Sequence, residues 1–194
     1  HDIKRMLAYS SVEHMGIITL AAGIGGEVAL YAAMLHMVGH SLTKSALFFA
    51  SAPIVQVFRT RSMHSMRGLL RVTPVAGAGI LVGVVSLSGF PPSAIFSSEY
   101  GLVLGAFQSD APAAVGVAGV LLATVAAAIL IYQTVHIAYR EPRSHAAAVP
   151  VSIPTALSIV APLALLVWIS VAPPAMFDDT LHRAADILEA QHGA

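Results

Sequence analysis

The chain has 194 residues, of which 57% are apolar and only 10% are Asp, Glu, Lys or Arg, with a formal net charge of zero. A soluble domain carries roughly 25% charged residues, and a mean hydropathy of +0.79 is far above what a water-facing surface tolerates, so a soluble fold is excluded. Ten basic residues cancelled by ten acidic ones leave no electrostatic footprint for a nucleic acid. The absence of cysteine excludes a disulfide scaffold, a Cys-ligated zinc and a Cys-bound iron–sulfur cluster.

A bilayer crossing takes about 20 apolar residues, so this length holds roughly five or six. Span A runs from about Met6 to Gly25, behind the flank Asp2-Ile3-Lys4-Arg5. No basic stretch precedes an apolar core at the start, and no signal peptide is expected. Span B starts after Glu27 and continues to about Phe58. It is longer than one crossing, so it must tilt, kink or extend beyond the lipid, and Pro53 offers a place to kink. A polar connection with Arg59, Arg61, His64, Arg67 and Arg71 follows. Span C, about Pro74 to Gln108, is again too long for one straight helix and is interrupted at Gly89-Phe90-Pro91-Pro92. It carries two small-xxx-small pairs, Gly79 with Gly83 and Gly101 with Gly105, of the kind that lets helix backbones approach closely. Span D covers about Ala113 to Tyr139 and span E about Val151 to Val171. The tail, from about Asp178 to Gln191, reads as a short amphipathic helix. Leu181, Ala184, Ala185 and Leu188 share one face, and Asp178 or Asp179 is placed to cap it. The expectation is an all-α integral membrane bundle over residues 1–172, with about five transmembrane helices, one of them discontinuous. An extramembrane tail with an amphipathic helix is expected over 173–194.

The basic residues sort by loop. Lys4 and Arg5 precede span A, Arg59, Arg61, Arg67 and Arg71 lie between B and C, and Arg140 and Arg143 lie between D and E. These are alternate loops, so all fall on one side. The positive-inside rule makes that side cytoplasmic and puts the C-terminus outside, in a multi-pass protein of the cell inner (plasma) membrane.

The informative residues are ionisable groups at membrane depth, where each costs about 2.5–3.5 kcal/mol on insertion scales. Span B has His36, His40 and Lys44 at i, i+4, i+8. At 3.6 residues per turn all three lie on one face, in steps of roughly 6 Å. That is a ladder, with waters or other side chains needed to fill its rungs. Each group taken alone is equally readable as polar glue to a neighbouring helix. Zinc binding by an i, i+4 His pair is disfavoured, because no cysteine or nearby carboxylate completes the ligand set and Lys44 repels a cation. Together, two imidazoles and a lysine on one face favour proton transfer. Glu99, about two turns beyond the break in span C, is a fourth candidate, since broken helices recur at the ion sites of transporters. Glu13 and His14, about two turns into span A, and His136, one turn before Arg140, are weaker candidates for proton access. For these an interfacial reading is as good.

Four segments carry a resemblance. Asp2-Ile-Lys-Arg-Met-Leu-Ala-Tyr-Ser-Ser-Val-Glu-His-Met-Gly16 resembles the proton-conducting antiporter-like membrane subunit family. That family includes the L, M and N type subunits of respiratory complex I, subunits of multi-subunit sodium/proton antiporters and subunits of membrane-bound hydrogenases. His36-Met-Val-Gly-His40-Ser-Leu-Thr-Lys44-Ser-Ala-Leu-Phe-Phe49 looks like its H-x3-H-x3-K helix. Arg67-Gly-Leu-Leu-Arg-Val-Thr-Pro-Val75 and Gly89-Phe-Pro-Pro-Ser-Ala-Ile-Phe-Ser-Ser-Glu-Tyr100 resemble the loop and broken helix that follow. The wording is nearest to component F of hydrogenase-4 and formate hydrogenlyase-type complexes, relatives of the complex I M-type subunit. The resemblance implies a C-terminal part of a fold with two inverted five-helix repeats. It also implies that the ladder passes protons toward a titratable group beyond the break, here Glu99.

The implied function is that of a proton-translocating membrane subunit of a hydrogenase or complex I-type oxidoreductase, with no catalytic residue, cofactor or metal of its own. Its partners would be the lipid bilayer, other membrane subunits and, indirectly, redox subunits. A sodium/proton antiporter subunit, or a non-conducting scaffold whose polar residues only glue helices, are the alternatives. An antiporter needs a sodium site rich in carboxylates and carbonyls, and only Glu99 lies deep in the far half.

Overall fold

The computed structural model describes residues 2–110, 112–142 and 148–192. Arg143, which figures in the reading above, lies outside the described residues. Eight helices follow in order: α1 (Ile3–Ile24), α2 (Glu27–Phe58), α3 (Leu69–Val72), α4 (Pro74–Leu87), α5 (Ala94–Gln108), α6 (Ala113–Tyr139), α7 (Ile153–Val171) and α8 (Ala175–His192).

The helix ends follow from local chemistry. The Asp2 carboxylate accepts the backbone N–H groups of Lys4 at 2.8 Å and Arg5 at 3.1 Å, which caps α1. Gly25, at φ 72, ends it. Pro74 opens α4, where its missing N–H would have had no partner. Span C is broken as expected. Helix α4 stops at Leu87, Gly89 turns the chain at φ 68, and the Ser93 hydroxyl caps α5 through the Phe96 N–H at 3.3 Å. The same hydroxyl donates to the Ser86 carbonyl at 3.0 Å and ties the two halves together. Across the break the N–H groups of Ser88, Gly89, Phe90 and Ser93 all find backbone carbonyls, and Pro91 and Pro92 have none to satisfy. That accounting is what a break at membrane depth requires.

Helices α2, α6 and α7 are each long and apolar enough to cross a membrane. The 22-residue α1 has the length too, but Lys4, Arg5 and Glu13 dilute its apolar character. Helices α4 and α5, about 21 and 22 Å long, cross only as a pair. Helix α2 runs on through Pro53 for 32 residues, about 48 Å, which exceeds the hydrocarbon thickness.

Helix α2 is the axis of the bundle, with α1, α4, α5, α7 and α8 all packed on it. Two of the predicted small-residue positions make this possible. A side chain at Gly105 would meet Ala29 of α2 at 2.8 Å, and one at Gly83 would meet Leu47 of α2 at 2.7 Å. The outer helices α6 and α7 expose apolar side chains such as Leu121, Leu122, Ile153 and Leu157, as surfaces turned to lipid or to another membrane subunit do.

The ends of the bundle differ. The Ile3 N–H donates to the Arg61 carbonyl at 3.0 Å, and the Val149 N–H to the Val72 carbonyl at 2.8 Å. The start of α1, the α2–α4 connection and the α6–α7 connection thus share one end, as the basic-loop partition expects. At the other end α8 crosses α2. Leu181 and Ala185 are buried and Ala184 and Leu188 half-buried, which is the predicted apolar face. Helix α8 begins at Ala175, so Asp178 lies within its first turn and not at a cap. Its carboxylate instead accepts the Tyr31 hydroxyl at 2.5 Å, and His182 stands 3.4 Å from Glu27.

Two outcomes test this packing. Gly105→Leu forces α5 off α2, and overpacking of this kind costs about 1–3 kcal/mol, read as a lower midpoint of unfolding in mixed micelles. Tyr31→Phe removes the bond that holds α8, so trypsin should cut after Arg183 several times faster than in the parent, followed by mass spectrometry.

Candidate proton-relay site

The buried stripe of α1 is Ile3, Leu7, Ser10, His14, Ile17 and Ala21, spaced by three and four residues. It lies against the face of α2 that carries His36, His40 and Lys44, and all of these polar side chains are buried. The two polar positions of the α1 stripe meet the polar rungs of α2. The Lys44 ammonium donates to the Leu7 carbonyl and to the Ser10 hydroxyl, and the Ser10 hydroxyl donates to the Leu7 carbonyl at 3.1 Å. The His14 ring lies between the two histidines of α2, with its centroid 5.1 Å from that of His36 and 4.9 Å from that of His40. His14 Nδ1 is 2.8 Å from His36 Nε2. On its other side His36 Nδ1 is 2.8 Å from the Ser98 hydroxyl of α5. The side chains of Lys44, His40, His14, His36 and Ser98 therefore form a row across three helices, hydrogen-bonded from His14 through His36 to Ser98.

This differs from the sequence reading in one respect. His14 was expected as a separate access group nearer the basic end, with the gaps of the α2 ladder filled by water or unnamed side chains. His14 itself fills the gap, because a side chain from a facing helix reaches between two rungs roughly 6 Å apart. Ser10 and Ser98 were not singled out. The α1 register contained the signal, since Ser10 and His14 fall on the stripe set by Leu7, Ile17 and Ala21. The α5 register carried the same kind of signal, since Ser98 falls on the stripe of Ile95, Leu102 and Gly105.

Glu99 follows Ser98 but points to the other side of α5. Its carboxylate folds back over Gly89 in the break, where any Cβ would collide with Oε2. Glycine suits the position for its positive φ, and a larger residue would also make the Glu99 carboxylate swing away. Glu13, His14, Ser88 and Glu99 line one narrow crevice between α1, the broken helix and α6. Glu13 also lines a groove of about 590 Å³ between α1 and α6 that extends past Ser10 to Arg5 and Asp2 at the basic end. His40 Nδ1 and the Ser88 hydroxyl are buried without a hydrogen-bond partner among the described residues, which is uncommon for such groups.

His136 is not brought to this row. It lies on the exposed side of α6, where it accepts from Arg140 Nη1 at 3.2 Å and stacks 6.1 Å from Tyr132. A surface groove of about 560 Å³ leads from His136 and Tyr132 to Ser88. Among the described residues no cluster of His, Cys, Asp or Glu has the arrangement to hold a metal ion.

The same residues carry the likeness to known proteins. Residues 1–126, which include every member of the row, match the NADH:quinone oxidoreductase/Mrp antiporter transmembrane family. The hydrogenase-4 component F homolog of Methylacidiphilum infernorum is 46% identical over 142 residues, 73% of this chain and 29% of its own length. Subunit M of the NADH-quinone oxidoreductase of Pseudomonas aeruginosa is 34% identical over 134 residues, 68% of this chain and 26% of its own length. The chain thus spans less than a third of either relative. Among solved structures, a chain of respiratory complex I from Thermus thermophilus superposes with a TM-score of 0.80 at 22% identity, over all of this chain and 40% of that one. A chain of the Mrp complex from Dietzia sp. DQ12-45-1b gives 0.77 at 18% identity, over 95% of this chain and 42% of that one. At these identities the two superpositions speak for the fold alone. Together with the sequence match over residues 1–126, they establish that this integral membrane helix bundle belongs to the NADH:quinone oxidoreductase/Mrp antiporter transmembrane family.

Proposed function

We propose that this chain forms part of a proton-translocating subunit of a hydrogenase- or complex I-type membrane oxidoreductase. The observation that carries the reading is the buried row Lys44, His40, His14, His36, in which the His14–His36 step is already at hydrogen-bond distance, 2.8 Å. Imidazole gains and loses protons near neutral pH. A row of such groups inside a bundle is costly as structural glue and economical as a path. The Lys44 ammonium sits at one end and the Glu99 carboxylate in the crevice beside His14, so the row has a basic group at one end and an acidic one beside its middle. Protons reach Glu13 along the α1–α6 groove from the basic end, which we assign to the cytoplasm on the charge asymmetry of the loops. The electrons that drive transport belong to redox subunits of the complex.

Electrostatics sets the scale of coupling. A unit charge arriving about 7 Å from the Lys44 ammonium changes its energy by about 2.4 kcal/mol at an effective dielectric of about 20. Moving one proton against 100 mV takes about 2.3 kcal/mol. One charge displaced in a neighbouring part of the complex is therefore enough to expel one proton.

In membrane vesicles carrying the complete subunit within its complex, Lys44→Ala and Glu99→Gln should each abolish proton uptake while the redox subunits continue to turn over. Undiminished uptake in both variants would leave helix gluing as the role of the row. Glu13→Gln should slow uptake several-fold and His136→Gln should not, measured by quenching of a pH-sensitive dye. The reverse ranking would move the access path to the groove beside His136.

A further inference from the structure

Three short contacts end the row on α5: His14 Nδ1 to His36 Nε2 at 2.8 Å, His36 Nδ1 to Ser98 Oγ at 2.8 Å, and Ser98 Oγ to the Ile95 carbonyl at 2.7 Å. His36 and Ser98 are each 1% exposed, so bulk water does not compete for these groups. Two electronegative atoms this close need a proton between them. The Ile95 carbonyl has none to give, so the single hydroxyl proton of Ser98 goes to it. Ser98 Oγ must then accept, and the donor is His36 Nδ1–H. A neutral imidazole carries one N–H, so His36 Nε2 is bare and accepts from His14 Nδ1–H. His14 Nε2 is bare in turn. With both rings neutral, only this assignment places a proton in each contact.

We propose that Ser98 is a positioning residue that sets the tautomers of His36 and, through it, of His14, and so makes the step from α1 to α2 run without a ring flip. The proposal rests on the proton-transport reading above. A proton arriving at His14 forms an N–H bond at its bare Nε2. The His14 Nδ1–H bond then breaks as that proton passes to His36 Nε2. His36 now bears both N–H bonds and the positive charge, and His14 is neutral with Nδ1 bare. Throughout, the Nδ1–H of His36 stays on Ser98, so the added proton leaves His36 by Nε2, back to His14 Nδ1, and the pair exchanges one proton reversibly. Without the hydroxyl, His36 would adopt the Nε2–H form that histidine prefers in water. That form directs an N–H at His14 Nδ1 and closes the acceptor the step needs. The signal is a serine hydroxyl committed elsewhere, which makes it an acceptor and not a relay.

The test uses the complete subunit in its complex, with histidine labelled by nitrogen-15 and the His36 resonances assigned by their loss in His36→Gln. In the parent, solid-state NMR should find neutral His36 protonated at Nδ1. Ser98→Ala, with Ser98→Gly as a second hydroxyl-free variant, should move the proton to Nε2 and lower proton uptake about tenfold, the rate equivalent of one net hydrogen bond. Ser98→Thr, which keeps the hydroxyl, should restore both. An unchanged His36 tautomer in both hydroxyl-free variants overturns the proposal whatever happens to transport. A shifted tautomer with undiminished uptake overturns the positioning role. If the tautomer shifts in Ser98→Ala while Lys44→Ala and Glu99→Gln both leave uptake intact, the proton-transport reading falls and the tautomer lock stands.

Discussion

Ionisable side chains cannot be left in hydrocarbon, and three of them sit on one face of α2. Each would cost a few kcal/mol if it met lipid. That single constraint explains why α2 is the axis of the bundle and not one of its walls. The neighbours must come close enough to exclude lipid and must still offer polar partners. Small residues meet the first demand, as where Gly105 lets α5 lie against Ala29 and Gly83 lets α4 lie against Leu47. The second is met by the carbonyl of Leu7, the hydroxyls of Ser10 and Ser98, and the ring of His14.

The broken helix follows the same logic. Unravelled backbone at this depth needs every N–H satisfied, and the segment from Ser88 to Ser93 meets that need with carbonyls of the last turn of α4, the Phe90 carbonyl and two prolines. The break makes room for a carboxylate. A side chain at position 89 would displace the Glu99 carboxyl group from its place over the break. The acidic group is thereby held beside His14 and Glu13, while its neighbour Ser98 faces the histidines from the opposite side of α5. Two adjacent residues thus serve two different faces of the site, as successive positions about 100° apart on a helix allow.

The two ends of the bundle are built differently. The basic end is tied by backbone bonds between connections, Ile3 to Arg61 and Val149 to Val72. The other end is closed by α8, whose apolar face covers α2 and whose polar residues pair with Tyr31 and Glu27. The groove past Glu13 extends toward the basic end, the side on which the arginines stand.

The spans, the break at Gly89–Pro92, the α8 face and the one-face ladder of His36, His40 and Lys44 were legible because each is a matter of composition or of helical period within one segment. Pro91 and Pro92 interrupt a helix wherever it packs, and i, i+4, i+8 fall together on any helix. What the sequence could not show is which side chains of other helices complete the ladder. His14 between two histidines, Ser10 under Lys44 and Ser98 against His36 are contacts between residues 22 to 62 positions apart in the chain. The rotation of α1 and α5 about their own axes decides them. That rotation is set by how small residues let helices close on α2, a property of the assembled bundle and of no single stretch of chain.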